Sequence, residues 1–294
     1  MIQYFDTHAH YDSSAFESDV RSALIRAKNS GVSKIVNIGT SVERSKKTVE
    51  LTKEYDFVYG TVGIHPDKAK EGILDENLQE IRELATCKKI VAIGEIGLDR
   101  HLEKEIVQEF KDGKSKIFDG FKSSEEVIQE RRRIQEIAFK KQLEISIETG
   151  LPVVIHSRNA TEETFSILKA FYKEFSKEHD RCPGVVHCFS GSTEIAREYI
   201  KMGFMVGIGG AVTWKHSKRV LKVVKNIPLE SIVLETDAPY QTPEPHRGER
   251  NESLYLNFVA EKIAEIKEVD IDTVAGKTYE NAEKLYGIKS CILI

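Results

Sequence analysis

The feature that most limits what this chain can fold into is a series of eight short Val- and Ile-rich runs spread along its 294 residues. They occupy 2–8, 34–39, 58–64, 89–96, 152–156, 184–189, 204–208 and 231–235. Most are apolar almost throughout, as strands buried on both faces are. Helical spacings fill the gaps: Val20, Leu24 and Ala27 after the first run, Leu78, Ile81 and Leu84 before the fourth, Ile195, Tyr199 and Met202 after the sixth. Eight strands alternating with helices in a chain of this length predict an α/β fold, a (β/α)8 TIM barrel, over 1–294 as one domain. An open doubly wound sheet is the runner-up, and no G-x-G-x-x-G follows the first run to favour it.

One gap is longer than a barrel needs. After the fourth run, a charged segment from Asp99 to Lys122 precedes a long helical pattern through Val127, Arg131, Ile134, Ala138, Lys141 and Ile145. Ser123 and Glu126 supply a capping box, and Gly150 and Pro152 end the helix. Residues 103–121 read as an ordered or semi-ordered insertion passing over the barrel mouth, with a mobile surface loop as the alternative. After the eighth run, a proline-stiffened loop (239–248) leads to Asn251 as the expected cap of a helix striped by Leu254, Phe258 and Ile263. A short helix from about Thr278 to Tyr286 ends at Gly287.

Charge excludes less than it might. The 43 basic and 47 acidic residues leave a formal net charge of −4, so no global nucleic-acid footprint exists. Two local basic runs stand out, Lys215, Lys218, Arg219, Lys222 and Lys225 after the seventh strand and Arg131, Arg132 and Arg133 on the long helix; a solvated face accounts for them better than a phosphate track does. The four cysteines show no paired spacing and read as reduced thiols. Cys188, beside His187, is expected on the opposite strand face as a buried thiol. A strand-like run at residue 2 leaves no room for a signal peptide, and no stretch approaches a membrane span. A cytoplasmic protein is expected.

In a TIM barrel, chemistry sits at the C-terminal ends of the strands. The first run ends in His8 and His10, the fourth in Glu95, the fifth in His156, the sixth in His187, and the eighth in Glu235-Thr236-Asp237. Four histidines and two carboxylates then converge on one axis, a donor set for divalent metal. Six ligands exceed one tetrahedral zinc, so two ions sharing a carboxylate is the natural count. The histidine content favours zinc or manganese over an all-oxygen magnesium cage. His65, Arg158, His246 and Arg247 are candidates for substrate phosphate at the same rim.

The ordered series Asp6-x-His8-x-His10, Gly63-Ile64-His65-Pro66, Gly94-Glu95-Ile96-Gly97-Leu98-Asp99, Ile155-His156-Ser157-Arg158, His187-Cys188-Phe189-Ser190-Gly191, Glu235-Thr236-Asp237-Ala238-Pro239-Tyr240 and Pro245-His246-Arg247-Gly248 closely resembles the TatD family of metal-dependent deoxyribonucleases. The resemblance implies a metallo-dependent hydrolase barrel. It further implies that His8, His10, Glu95 and Asp237 hold one metal while Glu95, His156 and His187 hold the other, with Zn, Mg or Mn as the ions. It also implies DNA as substrate, single-stranded or at 3′ ends, hydrolysed from 3′ to 5′ by a metal-activated water that Asp237 orients and deprotonates. The insertion is longer than the family's usual connection. The alternatives are acyl-ester hydrolysis, as in a D-aminoacyl-tRNA deacylase, and a non-catalytic barrel that keeps metal for stability.

Overall fold

The computed structural model describes residues 2–101, 103–112 and 120–288. All eight apolar runs form strands: β1 (Tyr4–Ala9), β2 (Val32–Ile38), β3 (Val58–Val62), β4 (Ile90–Asp99), β5 (Val153–Arg158), β6 (Gly184–Val186), β7 (Met205–Ile208) and β8 (Ile232–Leu234). They pair in parallel in sequence order, the arrangement that alternating strands and helices dictate. The last seam closes just past the end of β8, where Asp237 N donates to His8 O (2.9 Å) and His10 N to Ala238 O (2.7 Å). The sheet is therefore a nearly closed barrel.

Strand alternation divides the apolar side chains into two layers. Phe5, Val36, Val154, Val185, Met205 and Val233 form one cluster with Ala282, Leu285 and Tyr286. Their sequence neighbours, such as Tyr4, Ile35, Val153, Val186 and Val206, belong to a second cluster with helix residues. The helices are α1 (Val20–Asn29), α2 (Val42–Glu54), α3 (Asp75–Ala85), α4 (Glu103–Asp112), α5 (Ser124–Thr149), α6 (Thr161–Glu178), α7 (Thr193–Lys201), α8 (Lys218–Asn226), α9 (Leu256–Lys267) and α10 (Ile271–Tyr286). The Tyr286 hydroxyl donates to Thr7 O (2.9 Å), tying α10 to β1 beneath the site.

The long helix follows its sequence signals. Ser123 Oγ accepts from Glu126 N (3.2 Å), Glu126 accepts in return from Lys122 N (2.7 Å), and Gly150 ends α5 at φ 68°. Two local expectations need correction. The last helix starts at Ile271 and not near Thr278, because Asp270 accepts from Thr273 N (2.6 Å) and caps it earlier. Asn251 does not cap α9; its amide donates to Thr236 O (2.8 Å) and Tyr240 O (2.6 Å), pinning the loop after β8.

The insertion contributes α4, whose Ile106 packs on Val127 and Ile128 of α5. It flanks the mouth: a groove of about 490 Å³ lies between α4, α5 and residues 66–71, and the described residues of α4 line that groove and not the metal cleft. The rest of the expected insertion, 113–119, lies outside the described residues, as does Cys291. The other three cysteines are free thiols. No described helix is long and apolar enough to cross a membrane.

Candidate metal centre

His8 and His10 end β1 at positions i and i+2, and their Nε2 atoms meet at 3.2 Å. Two carboxylates reach the same point. Glu95 Oε2, from β4, lies 3.6 Å from His8 Nε2 and 3.9 Å from His10 Nε2. Asp237 Oδ1, just past β8, lies 3.7 Å and 3.4 Å from the same atoms. A four-coordinate ion with ~2.1 Å bonds has ligand–ligand edges of ~3.4 Å, so this donor set fits one divalent cation.

The other oxygen of Glu95 faces a second group. Oε1 lies 2.8 Å from His156 Nδ1 on β5 and 3.1 Å from His187 Nε2 past β6. His156 Nε2 lies 3.1 Å from Asp99 Oδ2, at the end of β4, which orients the ring with Nδ1 toward Glu95. His65 comes near, with Nε2 3.8 Å from Glu95 Oε1. Its Nδ1, however, accepts from Asp67 N (3.1 Å), and burial pulls its pKa down to about 4. A neutral ring with Nδ1 accepting carries its proton on Nε2, so His65 presents a donor to the cleft and not a ligand lone pair.

Three carboxylates that the sequence reading left without roles hold this arrangement. Asp6, fully buried, accepts from Thr236 Oγ1 (2.6 Å), Ser253 Oγ (2.6 Å), Thr236 N (3.0 Å) and His8 N (3.2 Å), locking β1 to the segment after β8. Burial outweighs these bonds and lifts its pKa to about 6. Asp99 positions His156. Glu235 lies under the site, accepting from Cys188 N (2.5 Å) with Oε1 3.6 Å from His187 Nδ1. The His8 and His187 rings stack at 3.8 Å, and their Nδ1 atoms and Glu235 Oε2 have no hydrogen-bond partner among the described residues. The rings thus stand between two carboxylates, Glu95 on their Nε2 side and Glu235 grouped with them below. Protons on Nδ1 leave both Nε2 lone pairs free for metal. Gly207 is required here: a Cβ would lie 2.3 Å from Glu235 Oε2.

Local backbone aims these groups. Asp237 (φ 58°) and Cys188 (φ 43°) occupy the left-handed region, turning the chain directly after β8 and near β6. On α5, Gln142 accepts from Ile64 N (2.7 Å) and donates to Ile64 O (3.0 Å), fixing the approach to His65. Gln135 accepts from Asp99 N (3.1 Å) and Arg100 Nη1 (2.8 Å). Neither glutamine falls on the stripe through Val127, Arg131, Ile134, Ala138, Lys141 and Ile145 that marks this helix in the sequence.

Opposite charges sustain one another despite burial. Burial opposes charge on Glu95, yet His187, His156 and His8 hold it well below the usual carboxylate range. Burial likewise opposes Asp237, and His10, His187 and His8 keep it at about 2. His156 loses to burial but gains more from Asp99 and Glu95, reaching about 9. Protons therefore supply the positive charge that the carboxylates demand. A divalent cation displaces such protons on binding, since ligation needs neutral imidazole.

The cleft above this centre measures about 890 Å³ and is also lined by Arg44, Lys68, Arg158, Cys188, Trp214 and Tyr240. Arg158 is exposed at the end of β5, at the expected rim. His246 does not join it: the ring stacks on Tyr255 at 4.4 Å and pairs with Glu249 at 3.2 Å, on the outer side of the loop. Arg247 lies 4.1 Å over the Trp214 ring and does not line the cleft. Cys188 departs from expectation because its positive φ breaks strand alternation: Sγ accepts from Gln241 Nε2 (2.8 Å) and lies 3.8 Å from Asp237 Oδ2. The arginine triplet on α5 is absorbed by Asp67, Glu103 and Glu130. The basic helix α8 contains no acid, and its Arg219 donates to Ser190 O (3.4 Å) at the cleft edge.

Comparison with known proteins agrees with this geometry. A family model described as TatD related DNase matches residues 5–287. YabD of Bacillus subtilis, named an uncharacterized metal-dependent hydrolase, is 38% identical over 284 residues, covering 97% of this chain and 99% of its own. A Pectobacterium carotovorum protein named 3′-5′ ssDNA/RNA exonuclease TatD is 33% identical, covering 96% and 98%. Among solved structures, the TatD homolog YjjV of Escherichia coli superposes with a TM-score of 0.81 at 27% identity, covering 97% and 98%. With this match along its length and this donor set on its barrel rim, the chain belongs to the TatD-related DNase family of metal-dependent hydrolases.

Proposed function

We propose that this chain hydrolyses DNA phosphodiester bonds, removing nucleotides from the 3′ end of single strands. His8, His10, Glu95 and Asp237 hold one divalent cation, and Glu95, His156 and His187 a second. The observation that carries this reading is the division of Glu95: Oε2 faces the β1 histidines at 3.6 and 3.9 Å while Oε1 faces His156 and His187 at 2.8 and 3.1 Å. Two divalent ions, when bound, supply Lewis-acid polarisation of the phosphate and a water nucleophile at neutral pH.

The chain's own groups do the rest. Asp237 directs Oδ1 at the histidines, while Oδ2 accepts from Gln241 Nε2 (3.0 Å) and can take the proton released by the attacking water. His65 presents Nε2–H to a non-bridging phosphate oxygen, and Arg158 offers a bidentate contact at the rim; both stabilise the negative charge that the non-bridging oxygens carry as water attacks. Asp99 keeps His156 aimed at the centre throughout.

The test sets metal-loaded protein against 5′-labelled single-stranded DNA, the same strand in a duplex, and D-aminoacyl-tRNA. A ladder shortened from the 3′ end, lost in Asp237→Asn with folding intact, is the expected result. Deacylation of the tRNA without DNA cleavage transfers the site to ester chemistry and overturns the nuclease reading.

A further inference from the structure

The nuclease chemistry leaves one wall of the cleft without a role. Tyr240, in the loop after β8, is 57% exposed, the most exposed of the large hydrophobic side chains among the described residues. It stands at the lip beside the metal donors, with its ring centre 6.2 Å from that of His10. Trp214, in the loop after β7, borders the same cleft. Its indole N–H donates to Thr242 O (3.0 Å), which fixes the ring and uses its polar atom. The Arg247 guanidinium covers it at 4.1 Å.

The two loops form one ledge. Glu244 N donates to Thr213 Oγ1 (2.8 Å), and Gly210 packs so closely that a Cβ would lie 1.9 Å from Gln241 O. Neither ring offers an atom to a metal, and the Tyr240 ring meets His10 only by its edge. Arg44, Lys68 and Arg158 line the same cleft. Aromatic rings and basic side chains lining one cleft are what unpaired bases require: each base stacks through its π-face while the backbone meets the positive charge.

We propose that Tyr240 and Trp214 form a base-stacking subsite for the nucleotides flanking the scissile phosphate of a single-stranded nucleic acid. The proposal rests on the nuclease reading and adds what selects the substrate. Stacking needs bases freed from pairing, so the subsite favours single strands over blunt duplex ends. It reads no hydrogen-bonding edge and so discriminates little among the four bases. It does discriminate a base from its absence.

Trp214 is the single tryptophan of the chain, so its fluorescence reports the subsite directly. Metal-loaded protein is titrated with a phosphorothioate-linked thymidine hexamer, which resists hydrolysis, and with a hexamer of equal charge whose terminal positions are abasic. The base-bearing strand is expected to quench Trp214 and to bind about tenfold or more tightly. Anisotropy of labelled strands then compares variants: Tyr240→Ala and Trp214→Leu each reduce that ratio several-fold, and Tyr240→Phe restores it. Equal binding of the two hexamers, or a ratio unmoved in both variants, overturns the subsite. If the same preparation cleaves single-stranded DNA, the nuclease reading survives that outcome. If it neither binds nor cleaves DNA, both fall together.

Discussion

His8, His10 and Asp237 sit on the seam where β1 meets the chain leaving β8, whereas His156, His65 and Asp99 sit across the cleft around β3, β4 and β5. The seam half is built from backbone: two hydrogen bonds of 2.9 and 2.7 Å close the barrel through the candidate metal-binding residues themselves. Asp6 beneath them gathers four donors. The far half is built from side chains. Gln135 and Gln142 of α5 clamp its loops, and His156 and His65 are each 16% exposed. One half cannot shift without opening the barrel; the other can be adjusted by a single helix face. Glu95 belongs to both.

The largest effect should come from the residue that joins the halves. Glu95→Gln turns one of the two oxygens into an amide NH2 and removes the negative charge the two groups share, so one group loses its donor and the other keeps a neutral oxygen; activity on single-stranded DNA should fall about a thousandfold, the scale of losing metal-ion stabilisation of the transition state. Metal content measured after dialysis should fall with it. A variant retaining full metal content and activity would show the halves to be independent.

Asp6→Ala should break the seam as structure. Removing a buried acceptor strands the Thr236 and Ser253 hydroxyls, at a cost of about 2–4 kcal/mol in denaturant unfolding. Asp99→Asn should leave the unfolding midpoint nearly unmoved and weaken only part of the metal binding, about 10- to 100-fold by titration calorimetry. Equal stability losses in the two variants would erase the contrast. Glu235→Gln sharpens it further. Its carboxylate groups with one histidine from each half, so both binding steps should weaken, by a factor in the same range.

The smallest effect concerns the outside of the seam. Arg26 of α1 forks onto Glu252 at 2.7 and 2.9 Å, and Arg250 joins at 2.7 Å, tying α1 to the loop after β8. Burial raises the Glu252 pKa, but Arg26 and Arg250 prevail and hold it below the usual carboxylate range. A depressed carboxylate contributes stability above its ordinary pKa and loses it as pH falls through the lower folded value. Thermal melting between pH 6 and 3 should therefore fall less steeply in Glu252→Gln than in the parent chain.

Much of this was legible in the sequence because five of the eight strands carry a histidine or carboxylate where the apolar run stops. The eight strands, their order and the gathering of His8, His10, Glu95, His156, His187 and Asp237 follow from that punctuation alone. The supporting residues were harder to see. Asp6, Asp99 and Glu235 lie within four residues of a ligand, and only a folded chain shows that each faces a partner distant in sequence. Gln135 and Gln142 lie off the stripe that marks their helix in the sequence. Cys188 misled because strand alternation fails where φ turns positive. His246 misled because proximity in sequence to the rim did not decide which side of the loop it packs on.

The central claim is tested most directly by stepwise metal addition to chelated protein, following 3′ shortening of a labelled single strand. The account predicts activity that rises to a plateau at two equivalents of zinc or manganese per chain, and an Asp237→Asn variant that binds ions without shortening the strand. Absence of phosphodiester cleavage at every metal loading would contradict it.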